Sequence, residues 1–178
     1  MWYVIQTLGR EEERTADMIR RTISSHCLEE CFVPKRERMK KFHGGWNKVE
    51  EILFHGYVFA VSDRPNELYQ ELKGIPRMTK VLGREEECFF SLNKEDEELV
   101  GKIGNREHKT VISRIAVEEG KKIRIVDGPL KDYAKDVVKV NLHKREVVVK
   151  VEFMEKPTEL KMGIEMVELE KRMYGYGF

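Results

Sequence analysis

The chain has 178 residues, 37% of them charged and 40% hydrophobic, with a formal net charge of +1. That composition describes one ordinary globular domain or two small ones and excludes a disordered chain. No apolar run approaches the roughly 18–20 residues that a membrane span needs. The opening "MWYVIQTLGREEER" has no basic leader, apolar core or small-residue cleavage site of a secretory signal. A cytoplasmic protein without a membrane partner is expected. Its three cysteines, Cys27, Cys31 and Cys88, have no framework spacing and read as reduced thiols.

In chain order, "WYVIQTL" is short, apolar and β-rich, and reads as a first strand. "GREEERTADMIRRTISSHCL" follows, with Ala16, Ile19, Ile23 and Cys27 at helical spacing and a charged outer face. "EECFVPKRERMKKF" reads as a second strand that turns basic after Pro34, "HGGW" as a turn, and "KVEEILFHGYVFAV" as a third strand. "DRPNELYQELKGI" has a proline near its start and Gly74 as its stop, which predicts a second helix. "MTKVLGR" reads as a short strand and "SLNKEDEELVGKIG" as a third helix capped by Ser or Asn. The order β-α-β-β-α-β-α predicts an α+β sandwich over residues 1–104.

The polar stretch around "NREHKTVISR" reads as a linker over residues 105–116. After it, "KKIRIV", "KDVVKVNL", "EVVVKVEF" and "ELKMGIEMVEL" are short β runs about ten residues apart. They predict a small five-stranded barrel over residues 117–170, followed by a tail over 171–178. A helical alternative is disfavoured because these runs are β-branched.

Catalytic chemistry finds no support. Cys27 and Cys31 lie one helical turn apart beside His26, but no second ligand pair stands at zinc-site spacing, so buried thiols are the simpler reading. No GxxxxGK[ST] or GxGxxG loop is present. The acidic runs at Glu11–Glu13, Glu85–Glu87 and Glu95–Glu98 read as solvated faces, and the five histidines neighbour no nucleophile context. No enzyme, metal or cofactor is expected.

Charge is unevenly distributed. Between residues 120 and 150 stand nine basic residues and four acidic ones, a local excess of five. Such an excess suits a face that meets a polyanion.

Four stretches together resemble the NusG family of transcription elongation factors, with an N-terminal NGN domain and a C-terminal KOW domain. They are "WYVIQT" at Trp2–Thr7, "ILFHGYVFA" at Ile52–Ala60, "LKGIPRMTKVLG" at Leu72–Gly83, and the pair "GKKIRIVDGPLKDY" and "KPTELKM". They span nearly the whole chain in order. The turn departs from the main branch of the family: "GPL" stands for "GPF", and Lys135 occupies a position where glycine is usual. His55 stands where proline is common. These departures resemble a specialised antitermination paralogue of the LoaP sort.

The resemblance implies that Leu8, Phe54, Tyr57 and Val81 form an apolar socket for the clamp helices of the RNA polymerase largest subunit. Read from the residues alone, Phe54 and Tyr57 fit equally a strand core. Arg10, Arg14, His43 and Arg77 would face upstream or non-template DNA, against a plain reading as solvated charge. Trp46, beside two glycines, is placed either to stack or to staple its hairpin. Lys121, Lys122, Arg124, Lys131, Lys135, Lys139, Lys144 and Arg145 are the candidate contacts to a nascent RNA hairpin, through phosphates and groove shape, against a reading as ordinary solubility. Stacking platforms for single strands are few there, Tyr133 being the one aromatic, which favours a folded RNA over a flexible strand. A monomer that passes terminators in selected operons is expected. The alternatives are a general factor coupling polymerase to ribosome or Rho, and an RNA-binding protein with no polymerase contact.

Overall fold

The computed structural model describes residues 1–75 and 88–168. Strand β1 (Trp2–Gln6) lies at the centre of the first sheet. It pairs antiparallel with β5 (Tyr57–Val61) on one side and β6 (Phe89–Ser91) on the other, and β2 (Glu30–Phe32) adds to β5. Alternation sends Val4 and Ile5 to opposite faces, and both are fully buried. On the Ile5 face, with Val58 and Ala60, sit helices α1 (Glu12–Thr22) and α2 (Pro65–Lys73), which bury Ala16, Ile19, Leu68 and Leu72 there.

The predicted first helix reaches Cys27, but α1 ends at Thr22. The Ser24 amide and hydroxyl both donate to the Glu71 carboxylate on α2, at 2.8 and 2.7 Å, and these bonds replace the next turn of helix. Helix α2 starts at Pro65, whose missing N–H costs nothing at a first turn, and stops at Gly74 as expected. Helix α3 (Lys94–Ile103) is capped by Asn93, whose side-chain oxygen accepts from the Asp96 amide at 2.7 Å.

Two predicted strands are each divided. The first breaks at Val33–Pro34 into β2 and β3 (Lys35–Phe42), which belong to different sheets. Pro34 has no N–H to offer a ladder, and its carbonyl instead accepts from Leu53 at 2.8 Å. The second breaks at Leu53–Gly56 into β4 (Gly45–Ile52) and β5. Gly56 has φ +82, and its amide donates to the buried Glu12 carboxylate at 2.7 Å. Strands β3 and β4 form a long hairpin registered from Lys35↔Ile52 to Phe42↔Gly45, with the short β7 (Lys109–Thr110) parallel to β3. Strand β6 was not expected, and the strand expected at "MTKVLGR" lies outside the described residues.

The second unit is a five-stranded sheet of β8 (Ser113–Val117), β9 (Ile123–Asp127), β10 (Val137–Asn141), β11 (Glu146–Phe153) and β12 (Lys156–Met166), ordered β10-β11-β12-β8-β9. Thus the α+β class and the small C-terminal β unit are as expected. Within residues 105–116, read as linker, β7 and β8 are both paired. His108 stacks on Phe32 with ring centroids 3.4 Å apart and bonds to Glu30 at 2.6 Å, which fastens that segment to β2. Between β9 and β10, a 3-10 segment at Pro129–Asp136 follows Gly128, where φ is +102 and a side chain would meet Ser113.

The Val4 face of the first sheet carries Phe32, Phe54 and Phe59 into one continuous apolar cluster with Ile115, Leu130, Val147, Phe153 and Met162 of the β unit. The two units are docked on one another across that cluster.

Candidate functional site

The expected socket begins in the turn before β5. Phe54 is only 3% exposed. Its ring lies 5.6 Å from Phe59 and 4.7 Å from Phe153 at the end of β11. The β unit therefore covers the face that Phe54 lines. Tyr57 is half-buried beside it, whereas Leu8 is 68% exposed and makes no part of the cluster. Val81 lies outside the described residues. A cleft of about 770 Å³ remains between the two units, walled by Phe54, Tyr57, Phe90, Asp96, Phe153 and Met154.

Polar bonds complete that contact. Arg36 of β3, with its side chain 5% exposed, reaches Glu146 at the start of β11 at 2.8 Å and Glu51 of β4 at 2.8 Å. Arg38 stands 3.9 Å and Lys161 4.0 Å from the Glu146 carboxylate. The Asp96 carboxylate of α3 accepts from the Met154 amide at 3.1 and 3.2 Å. Burial raises the Asp96 pKa, against the lowering effect of the Met154 bond, and Glu95, Glu152 and Glu155 add to the rise. Arg36, Glu146, Asp96 and Phe153 were all missed by sequence reasoning. Each is one charge or one aromatic in a run of similar residues, and its partner is distant along the chain.

The expected DNA-facing residues are not gathered at one place. Arg10 has φ +71 and borders a shallow cleft with Glu12, Glu13, Glu50 and Glu51, an acidic setting for a phosphate. Arg14 is exposed on α1, and Arg77 lies outside the described residues. His43 is at the β3–β4 tip with φ +50. Lys35 pairs with Glu13 beside α1 at 2.8 Å. His43 is eight residues further along an extended strand, roughly 25 Å away.

Connectivity divides the expected RNA set as well. Lys121 and Lys122 stand in the β8–β9 turn, and Lys144 and Arg145 in the β10–β11 turn. Lys131 and Lys135 lie on the 3-10 segment, which joins the opposite ends of β9 and β10. The two groups are thus at opposite ends of those strands. Lys139 is exposed within β10, and Arg124 of β9 pairs with Glu118 at 3.6 Å. Lys121, Lys122, Lys131, Lys135, Lys139 and Lys144 are all exposed, and among the described residues none forms an ion pair. Lys135 has no positive φ, so its backbone does not require glycine. Tyr133 is 8% exposed, and burial raises its pKa. It is therefore a core ring of the β unit and offers no open face for stacking.

Among the described residues, the exposed aromatic rings of Phe and Trp are on the β3–β4 hairpin instead. Phe42 is 41% and Trp46 37% exposed. The Arg145 guanidinium lies over the Trp46 ring, 4.4 Å from its centroid.

Cys27 and Cys31 are buried thiols, and burial pushes the Cys31 pKa up to about 12. No group of metal-ligating side chains occurs among the described residues. No described helix is long and apolar enough to cross a membrane.

A family model described as "Transcription termination factor nusG" matches residues 1–100. The chain is 25% identical over 171 residues to the transcription termination/antitermination protein NusG of Campylobacter jejuni, covering 94% of this chain and 96% of that one. It is 26% identical over 179 residues to the protein of the same name from Thermus thermophilus, covering 93% and 96%. A solved structure described as "Domain interaction in Thermotoga maritima NusG" is similar with a TM-score of 0.45 and 18% identity, over 91% of this chain and 92% of that one.

Proposed function

The chain belongs to the NusG family of transcription factors, and on that premise we propose that it is a specialised antitermination factor that binds RNA polymerase and nascent RNA. In this reading the first unit, an NGN domain, meets the clamp helices of the largest polymerase subunit through Phe54, Tyr57, Leu8 and Val81. Arg10, Arg14, His43 and Arg77 are its candidate contacts to upstream or non-template DNA. The second unit, a KOW domain over residues 117–170, contacts a hairpin in the nascent transcript, and the polymerase then passes terminators in selected operons. Binding and positioning are its whole chemistry.

The observation that carries the RNA contact is the state of the barrel lysines. Lys121, Lys122, Lys131, Lys135, Lys139 and Lys144 are exposed and without ion pairs among the described residues, as are Lys40 and Lys41 of the first unit, whereas Lys35 and Lys109 have carboxylate partners at 2.8 and 2.5 Å. Free surface cations on one small unit suit phosphates, whose counterions they displace.

Terminator readthrough in a reconstituted transcription system, with and without a cognate leader, tests the function. The expected result is readthrough that depends on the leader. Equal readthrough on every template would favour a general factor. A salt titration of RNA binding by the full chain tests the contact, and a flat plot of log K against log salt would sink it.

A second reading has its own support. Val138 and Val140 are 53% and 38% exposed on β10, an edge strand of the barrel. An apolar sheet edge suits a protein partner, as the coupling of polymerase to a ribosomal protein or to Rho requires. Charge substitution at Val138 would then abolish coupling and leave RNA affinity unchanged.

A further inference from the structure

The two basic tips of the molecule meet. One is the β3–β4 hairpin tip, where residues 38–48 read RMKKFHGGWNK without an acid. The other is the end of β10 and its turn, where residues 137–145 read VVKVNLHKR, again without an acid. The two belong to different units, and Arg145 lying 4.4 Å over the Trp46 ring joins them.

We propose that the joined tips form one binding surface for a single-stranded polynucleotide, which runs from the hairpin of the first unit onto the barrel of the second. For the barrel's share this rests on the RNA-binding reading above, with the unpaired loop or flank of the transcript hairpin as the part bound; the hairpin's share is argued from its own residues.

Register places the hairpin side chains. Lys41 is opposite Trp46 and Met39 opposite Lys48, so Lys41, Trp46 and Lys48 share one hairpin face. Arg145 lies over that face. Its backbone is held, with φ +51 and a carbonyl that accepts from Ile164 of β12 at 3.0 Å. Its Nε is buried and lacks a hydrogen-bond partner among the described residues. A guanidinium stacked on an indole and held by no carboxylate among the described residues suits a phosphate oxygen at its terminal nitrogens rather than at the buried Nε.

The flanking acids are engaged, and Glu37 shares the face of Lys41, Trp46 and Lys48. Glu146 is committed to Arg36 at 2.8 Å inside the contact between units, and Glu37 accepts from the Ile112 amide at 3.1 Å, with Lys48 3.6 Å away. Lys40, Lys41 and Lys144 form no ion pair among the described residues. At the hairpin end, on the face opposite Trp46 that Lys40 shares, Phe42 is 41% exposed, with the His43 ring edge-on at 5.4 Å, so a strand that meets both rings wraps the tip. Exposed aromatic faces among unpaired cations are what an unstacked base and its phosphates need, and a duplex with stacked bases has no use for the rings. The strand is either transcript or displaced DNA, and the two offer the same chemistry to these residues.

The test uses the full chain and fluorescein-labelled 12-nucleotide probes of mixed sequence, one RNA, one single-stranded DNA and one duplex DNA. Anisotropy titrations at several salt concentrations give the affinity and the salt slope. We expect both single strands to bind more tightly than the duplex, and the tighter of the two identifies the source. Lys41→Ala and Lys144→Ala should each reduce the slope by about 0.7, the share of one phosphate on a single strand. Trp46→Ala should weaken binding by roughly ten-fold, and Trp46→Phe should recover most of it. Thermal melts of each variant separate this loss from unfolding, and a Trp46→Ala chain that melts early leaves the decision to the two lysine variants.

Loss with Lys144→Ala alone would overturn the shared surface and leave the barrel as the RNA-binding unit. Loss with Lys41→Ala alone would overturn it in favour of the hairpin by itself. Equal affinity for duplex and single strands would overturn the choice of ligand. Absence of binding by the unsubstituted chain at low salt would overturn both this surface and the RNA-binding reading.

Discussion

Arg36 and Glu146 pair across the two units with almost no access to water, their side chains 5% and 9% exposed. Such a pair adds little net stability, but breaking it leaves a charge stranded in a poor dielectric. In Glu146→Ala, Arg36 keeps Glu51 at 2.8 Å, so the loss is expected near the low end for a broken buried pair, about 3 kcal/mol. That loss has a ceiling, because undocking the units rehydrates Arg36 without unfolding either one. We expect two thermal transitions in Glu146→Ala where the parent chain shows one, measured by calorimetry. A single transition at a lower temperature would mean that the units do not fold separately.

Asp96 adds a pH dependence whose sign follows from its raised pKa. A carboxyl with a higher pKa in the folded state holds its proton more tightly there than in the unfolded chain. Its favourable contribution is present below the unfolded value, about 3.9, and is lost as pH rises through the folded pKa. Asp96→Asn keeps an oxygen to accept from Met154 and cannot ionise. Urea unfolding of both chains across a pH series should show the unsubstituted protein losing stability relative to Asp96→Asn from about pH 4 upward. A difference independent of pH would show that burial does not hold the proton on Asp96.

Among the elements, the long β3–β4 hairpin and strand β12 cross with little room. A Cβ at Gly163 of β12 would run into the Glu37 carbonyl and the Arg38 Cα of β3. Neither obstacle is a flexible side-chain end, so Gly163→Ala must push the two elements apart. Gly163 has no positive φ, so alanine suits the barrel itself. We therefore expect Gly163→Ala to undock the units while both stay folded, seen as a larger radius of gyration in solution scattering with unchanged circular dichroism. Loss of the β signal would place the strain inside the barrel instead.

The same elements explain what the sequence made legible. β1, α2, α3 and the C-terminal strands carry local signals: an apolar run, a proline start with a glycine stop, an asparagine cap, and β-branched alternation. Pro34 and Gly56 are local break signals, a residue without an N–H and a glycine at φ +82, but the β-rich runs on either side of each read as one strand, and only sheet membership shows that the pieces part there. Exposure of the barrel lysines follows from their spacing in the sequence, but which of them are neighbours depends on which strand ends the 3-10 segment joins. The docking of the units was invisible for a further reason. Arg36 and Glu146 are 110 residues apart, and no local pattern distinguishes Arg36 from the other basic residues of β3.

At the scale of the molecule, one aromatic face has two claimants. Phe54 is packed against Phe153, and the proposed polymerase contact needs the same ring. The two cannot be satisfied together, so the apparent affinity for polymerase is the intrinsic affinity reduced by the fraction of molecules in which the face is open. If docking holds the units together by about 2 kcal/mol, that fraction is roughly one in thirty. An undocked variant would then bind up to about thirty-fold more tightly. Titration of purified RNA polymerase should therefore rank Gly163→Ala above the unsubstituted chain, and Phe54→Ala below both. Adding Phe54→Ala to Gly163→Ala should erase the gain, because opening a face helps only while its anchor is present. Equal affinity for Gly163→Ala and the unsubstituted chain, with scattering showing the variant undocked, would mean that polymerase binds elsewhere. The Phe54 face would then be no more than the contact between the two units.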